Sequence, residues 1–140
     1  MRYDDKGKLR ILMVTSRDSG RWVMPKGWPM SGKKPWRAAE IEAMEEAGVL
    51  GEIATEELGT YVYPKKLDNG KCVDCKVRLY PMHVQTLLKR WPERKQRRRR
   101  WFSVKKAAAS VREPQLRRLI KSLEDKKVRK PVVRLIKRAA

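Results

Sequence analysis

The stretch PKGWPMSGKKPWRAAEIEAMEEAGV, residues 25–49, constrains the fold of this chain more than any other. Gly27, Pro29, Gly32 and Pro35 make its first part an irregular loop. Pro35 also suits the first turn of a helix, where a missing N–H does no harm. Ala, Glu and Met then dominate, and Gly48 is a natural C-terminal stop. The fold must therefore carry a loop that runs straight into a helix bounded near 35 and 48. With about 100° per residue, Glu45 lies roughly 60° to one side of Glu42 and Glu46 roughly 40° to the other. The three carboxylates project from one narrow arc. Ala39, Ala43 and Ala47 form an adjacent stripe of small side chains, with Trp36 beside it, which lets the helix approach a sheet closely.

Like charges at helical spacing repel. Either solvent tolerates them or a cation joins them. Three carboxylates on a rigid face are hard oxygen donors of the kind Mg²⁺ and Mn²⁺ prefer. Spacing alone leaves open a second reading, a Glu-rich helix face in water. Glu40 falls outside the arc and reads as solvated.

The rest of the chain supplies strands and further helices. LRILMVTSR (9–17) is an apolar, β-rich run, DSG (18–20) a turn, and RWVMPKG a short strand, so the three read as a hairpin. EIATEELGTYVYPKK and CVDCKVRLYPMHVQTLL read as further strands joined by the turn LDNG (67–70). RRRRWFSV enters another strand. EPQLRRLIKSL places Leu116, Leu119, Ile120 and Leu123 at helical spacing, and PVVRLIKRAA aligns Val132, Leu135 and Ile136. The sum is a mixed sheet with about three helices, an α/β layered domain.

The 140 residues suit a single domain, 1–140, with its own core. No apolar run approaches the roughly 20 residues that span a bilayer. The first residues lack the apolar segment of a secretory signal. These features set the expectation of a soluble, cytoplasmic protein with no membrane partner. Cys72 and Cys75 form one C-x-x-C, which fits half a zinc site or a redox pair. With His83 as the single histidine and no second cysteine pair, a four-ligand zinc site is hard to build. Two reduced thiols in or beside a strand, and a structural histidine, are the expected reading.

Beyond its spacing, the 25–49 segment resembles the box of the Nudix hydrolases. Gly27 opens it, Glu42 takes the Glu of its Arg-Glu pair, Ala43 the aliphatic place, Glu45 and Glu46 the Glu pair, and Gly48-Val49 the close. Two positions depart: Lys33 replaces the first Glu, and Ile41 replaces the Arg. The family pairs those two residues, so losing both removes an ion pair without stranding one charge. The flanking RWVMPKGW and RRRRWFSV resemble the diphosphoinositol polyphosphate and diadenosine polyphosphate hydrolase branch. The resemblance implies a mixed sheet sandwiched between helices, α/β/α. It also implies Mg²⁺- or Mn²⁺-dependent hydrolysis of a phosphoanhydride. Glu45 and Glu46 would be metal ligands, and Glu42 a ligand or the base for the attacking water. A further ligand comes from a later loop in many such enzymes; Glu93 is the candidate, with Glu56 and Glu57 behind it.

Charge is unevenly spread. Residues 1–88 hold 15 basic and 12 acidic side chains, and residues 89–140 hold 21 and 4, which gives the last third a net +17. RKQRRRR (94–100) has six cations in seven positions. As a strand it would send Arg97 and Arg99 to one face and Arg98 and Arg100 to the other. A highly anionic polyphosphorylated small molecule is the partner the resemblance implies. Arg17, Arg21, Lys26, Gly27 and Lys33 are its candidate contacts, with Lys34 nearby. The rival is a basic protein on the same fold that binds nucleic acid or processes RNA ends. Its grip would come from the basic C-terminal third, which ends in the helical segment at about 113–140, and from stacking on Trp91, Trp101 and Phe102 near the arginines.

Overall fold

The structure is a computed structural model, and it describes residues 1–129 and Arg134. The expected helix over PVVRLIKRAA, with the end of the basic segment, therefore lies outside the described residues apart from Arg134. The central ladder is antiparallel. Strand β2 (Leu9–Thr15) pairs with β1 (Arg2–Tyr3) and β3 (Trp22–Val23), and along its length with β8 (Arg99–Ser103). The turn at 18–20 closes the β2–β3 hairpin through Ser16 N–H to the Arg21 carbonyl, 2.7 Å.

β2 reads as almost unbroken apolar sequence because both of its faces are buried. Leu9, Ile11 and Met13 point to one side and join Tyr61, Phe102 and the helices α2 (Val104–Ser110) and α3 (Pro114–Ser122), through Ala107, Ala108, Leu116 and Ile120. Val14 points to the other side, where Val23, Val49, Met82 and Val84 meet Ala47 of helix α1 (Pro35–Ala47). Helices thus cover both faces of the sheet. This is the α/β/α layering expected from the sequence, and every strand pairing among the described residues is antiparallel. The small-residue stripe of α1 does what its size allows: Ala47 is fully buried, and Ala43 packs against the second core.

Each long run read as one strand breaks in two. Residues 49–66 give β4 (Val49–Ile53) and β5 (Gly59–Lys66); residues 72–87 give β6 (Cys72–Leu79) and β7 (Met82–Leu87). Pro81, which has no N–H to donate to a ladder, lies between β6 and β7. β4 then pairs with β7 and β5 with β6, with Leu67 and Gly70 closing the 67–70 turn. Helix α2 was not anticipated. Ser103 caps it by accepting from Lys106 N–H at 3.1 Å, and an alanine run follows. Cys72 and Cys75 are free thiols on β6, and His83 lies on β7 opposite Glu52. No helix among the described residues is long and apolar enough to cross a membrane.

Candidate active site

Helix α1 begins after Lys34 with Pro35 in its first turn and ends on Gly48, whose φ of 64° only glycine adopts freely. The Gly48 N–H bonds the Met44 carbonyl at 2.9 Å. The last turn has no basic residue of its own. Arg99 of β8 supplies one instead: Nη1 donates to the Ala47 and Gly48 carbonyls at 2.8 and 3.2 Å, and Nη2 to the Leu88 carbonyl at 2.7 Å. A cation there neutralises the negative end of the helix dipole. Trp91 stacks under the same guanidinium, 4.0 Å from it, and donates Nε1–H to the Glu46 carbonyl.

The alternation expected along 97–100 holds. Arg97 and Arg99 turn in toward α1, while Arg98 and Arg100 lie over Trp22. Two of the four arginines are therefore fastened to the fold. The aromatics nominated for base stacking are likewise engaged. Trp91 carries Arg99, Trp101 carries Arg2, and Phe102 is buried edge-on against Trp22.

The three acids of α1 have different surroundings. Glu46 is only 3% exposed. Its Oε2 accepts from the Lys26 N–H and its Oε1 pairs with Arg97 Nη2, both at 2.7 Å. Burial outweighs these contacts and pushes its pKa up to about 7. Glu42 is half-buried, and its pKa rises too, first by burial and then by the charges of Glu45 and Glu93. Glu45 is half-buried, and its backbone carbonyl accepts from Glu93 N–H at 3.0 Å. Glu93 itself is held by Arg97, from Nε and Nη2, both at 3.1 Å. Four carboxylates thus share one neighbourhood. Glu40 pairs instead with Arg37, and Glu56 and Glu57 lie exposed in the loop between β4 and β5.

The Glu46 shift has a testable consequence. An acid with a raised folded pKa favours the folded state below its ordinary value of 4.5, and that contribution is lost as pH rises to about 7. Without divalent metal, the wild type should lose on the order of 3 kcal/mol relative to Glu46→Gln between pH 4.5 and 8. Urea unfolding of both proteins across that range checks this. Parallel pH profiles would contradict it.

The candidate substrate contacts divide. Lys26, Gly27 and Lys33 line a cleft of about 620 Å³ that Glu42 also borders. Gly27 faces Glu42 so closely that an added Cβ would run into the carboxyl group. Arg17 is exposed beside Glu93 and Gln96. Arg21 is turned away, into a buried ion pair with Glu113 at 2.7 Å. The sequence reading missed the far wall of the cleft, where the β5–β6 hairpin brings Tyr63, Lys65, Lys76 and Arg78. It also missed Arg97 as the partner of Glu46, 51 residues away in sequence. Lys65 Nζ sits 4.7 Å from the ring of Trp28, and Lys26 Nζ sits 3.8 Å from that of Tyr63.

A divalent cation suits this donor set chemically. The oxygens are hard, and the mutual repulsion that raises the Glu42 pKa is what such a cation relieves. Among the described residues, no three acidic, histidine or cysteine side chains are gathered into a ready-made metal-binding group. Glu46 and Glu93 point their carboxylates at Arg97 instead.

Comparison with known proteins agrees with this layout. The family model for the NUDIX domain matches residues 1–123. Nudix hydrolase 12, mitochondrial, of Arabidopsis thaliana is 38% identical over 107 residues, covering 74% of this chain and 53% of that protein. Nudix hydrolase 13, mitochondrial, of the same plant is 36% identical over 109 residues, covering 74% and 54%. The chain thus spans about half the length of these curated relatives. The fold matches a C. elegans Ap4A hydrolase in a binary complex, with a TM-score of 0.62, 24% identity and 88% of each chain covered. The expected cytoplasmic location is overturned by these relatives, whose names place them in mitochondria. Lack of an apolar secretory segment bears on export and says nothing about mitochondrial import. With the model matched over 1–123, the chain belongs to the Nudix family.

Proposed function

We propose that this chain is a divalent-metal-dependent hydrolase that cleaves a phosphoanhydride in a highly anionic small molecule. The observation that carries this reading is the cleft beside Glu42. It gathers Lys26, Lys33, Lys65, Lys76 and Arg78 against two acids, Glu42 and Asp74. Such a wall attracts polyphosphate. Yet Glu42 at its edge would repel the same phosphates unless a cation stood between them.

Glu42, Glu45 and Glu46 would hold Mg²⁺ or Mn²⁺, with Glu93 as a fourth donor. Bound there, the metal would neutralise phosphate charge and make water a better nucleophile. The chain's own groups do the rest. Lys26 and Lys65 flank the Glu42 end and hold phosphate oxygens as point charges. Gly27 keeps backbone close to Glu42 because it has no side chain to intervene. Glu42 would be either a third donor to the ion or the group that accepts the proton of the attacking water.

A dinucleoside polyphosphate fits this cleft better than a diphosphoinositol polyphosphate. Trp28 is 52% exposed at the cleft, and Tyr63 and Tyr80 also line it. A nucleobase can stack there, whereas an inositol ring offers no π-face. The fold neighbour from C. elegans, an Ap4A hydrolase, is consistent with that choice. The test is a panel of both substrate classes with Mg²⁺ and Mn²⁺, analysed for released products. Trp28→Ala should raise KM for dinucleotides roughly 5- to 100-fold, the worth of one stacked base. It should leave diphosphoinositol turnover unchanged. Cleavage of inositol substrates alone would overturn the nucleotide assignment, and no cleavage of either would overturn the hydrolase.

A further inference from the structure

We infer that Arg97 is a built-in counter-cation of the metal site, and that it sets divalent-ion affinity by competing for Glu46 and Glu93. This rests on the metal site proposed above.

Arg97 is placed for such a role. Its side chain is only 7% exposed, and all three guanidinium nitrogens are engaged. Nη2 reaches Glu46 Oε1 at 2.7 Å and Glu93 Oε1 at 3.1 Å, Nε reaches the same Glu93 oxygen, and Nη1 donates to the Thr15 carbonyl at 3.1 Å. Thr15 fixes the backbone behind it. Thr15 N–H donates to the Arg98 carbonyl, and Thr15 Oγ1 accepts from Arg98 N–H at 2.9 Å. The guanidinium is therefore clamped between a carboxylate of helix α1 and one of the loop between β7 and β8.

The charge count gives the sign of the effect. One positive charge is shared by two carboxylates, and Glu42 and Glu45 add to the same field. The other Glu46 oxygen is already taken by Lys26 N–H. A divalent ion that takes Glu46 must draw it from Arg97 or share it with that cation at close range, where like charges repel. Arg97 thus keeps two acids together and folded while lowering their affinity for metal. The alternative is that Arg97 aligns the two ligands and so raises that affinity. The two roles predict opposite signs.

The test is Mn²⁺ binding without substrate, followed by electron paramagnetic resonance of free Mn²⁺, on the full chain. Arg97→Gln should bind Mn²⁺ at least about tenfold more tightly than wild type. Its unfolding temperature should also rise more on adding Mn²⁺ than the wild type's does. Arg97→Lys keeps the charge but not the fork, so its affinity should fall between the two. It also serves if the glutamine variant does not fold. Equal or weaker Mn²⁺ binding by the folded Arg97 variants would overturn the inference. Glu45→Gln separates the two levels. If it abolishes wild-type binding while the Arg97 variants bind like wild type, only the Arg97 inference fails. If wild type, Glu45→Gln and the Arg97 variants all fail to bind Mn²⁺, the metal site fails with it.

Discussion

Glu45→Gln should lower diphosphate hydrolysis roughly 100- to 1000-fold at saturating metal while leaving the protein folded. A bound metal ion supplies several kcal/mol of transition-state charge stabilisation, part of which goes when a proposed ligand is lost, and each 1.36 kcal/mol is a factor of about ten. Glutamine keeps the shape and loses the charge. Glu45 enters the fold through its backbone carbonyl, which holds Glu93 N–H, and the substitution leaves that bond in place. The effect should appear in kcat more than in KM, because the substitution leaves untouched the cationic cleft proposed to bind the substrate. Steady-state kinetics, with circular dichroism as the folding control, check it. Unchanged turnover would remove the acidic face of α1 from the chemistry.

The second large effect concerns stability. Gly48→Ala should destabilise the protein by about 2–5 kcal/mol. Alanine at a φ of 64° costs about 1–2 kcal/mol. Its Cβ would come within 2.6 Å of the Trp91 ring and 2.8 Å of Arg99 Nη1, which forces further shifts worth about 1–3 kcal/mol. The displaced groups are the ones that fasten the last turn of α1: Trp91 on the Glu46 carbonyl and Arg99 on those of Ala47 and Gly48. Urea unfolding measures the loss. A change below about 0.5 kcal/mol would show that the helix end does not depend on this packing.

The helix that carries the acids was legible because its signals are local. Pro35 and Gly48 mark its ends, and the arc of Glu42, Glu45 and Glu46 follows from helical pitch alone. The two-sided split of Arg97 to Arg100 was equally legible, although strand β8 itself takes in only Arg99 and Arg100. What those arginines touch was not. Arg97 meets Glu46, Arg99 meets the end of α1, and Arg21 meets Glu113, 92 residues on. Such pairs depend on which strands lie side by side, and no local pattern reports that. The cleft wall was hidden for the same reason. Lys65 and Lys76 sit on strands with no local mark of a site, and they join the cleft only because the β5–β6 hairpin lies against the 25–35 loop. Helix α2 starts directly from the end of β8, with no Gly or Pro between them, so only Ser103 before an alanine run marks its start.

The central claim is that the acids of α1 hold a divalent ion where the phosphate chain lies. Crystals grown with Mn²⁺ and a non-cleavable dinucleoside polyphosphate test it most directly. The expected result is an anomalous-scattering peak within coordination distance of at least two of the Glu42, Glu45 and Glu46 carboxylates and of a phosphate oxygen. An ordered analogue in the cleft with no such peak beside those carboxylates would contradict it.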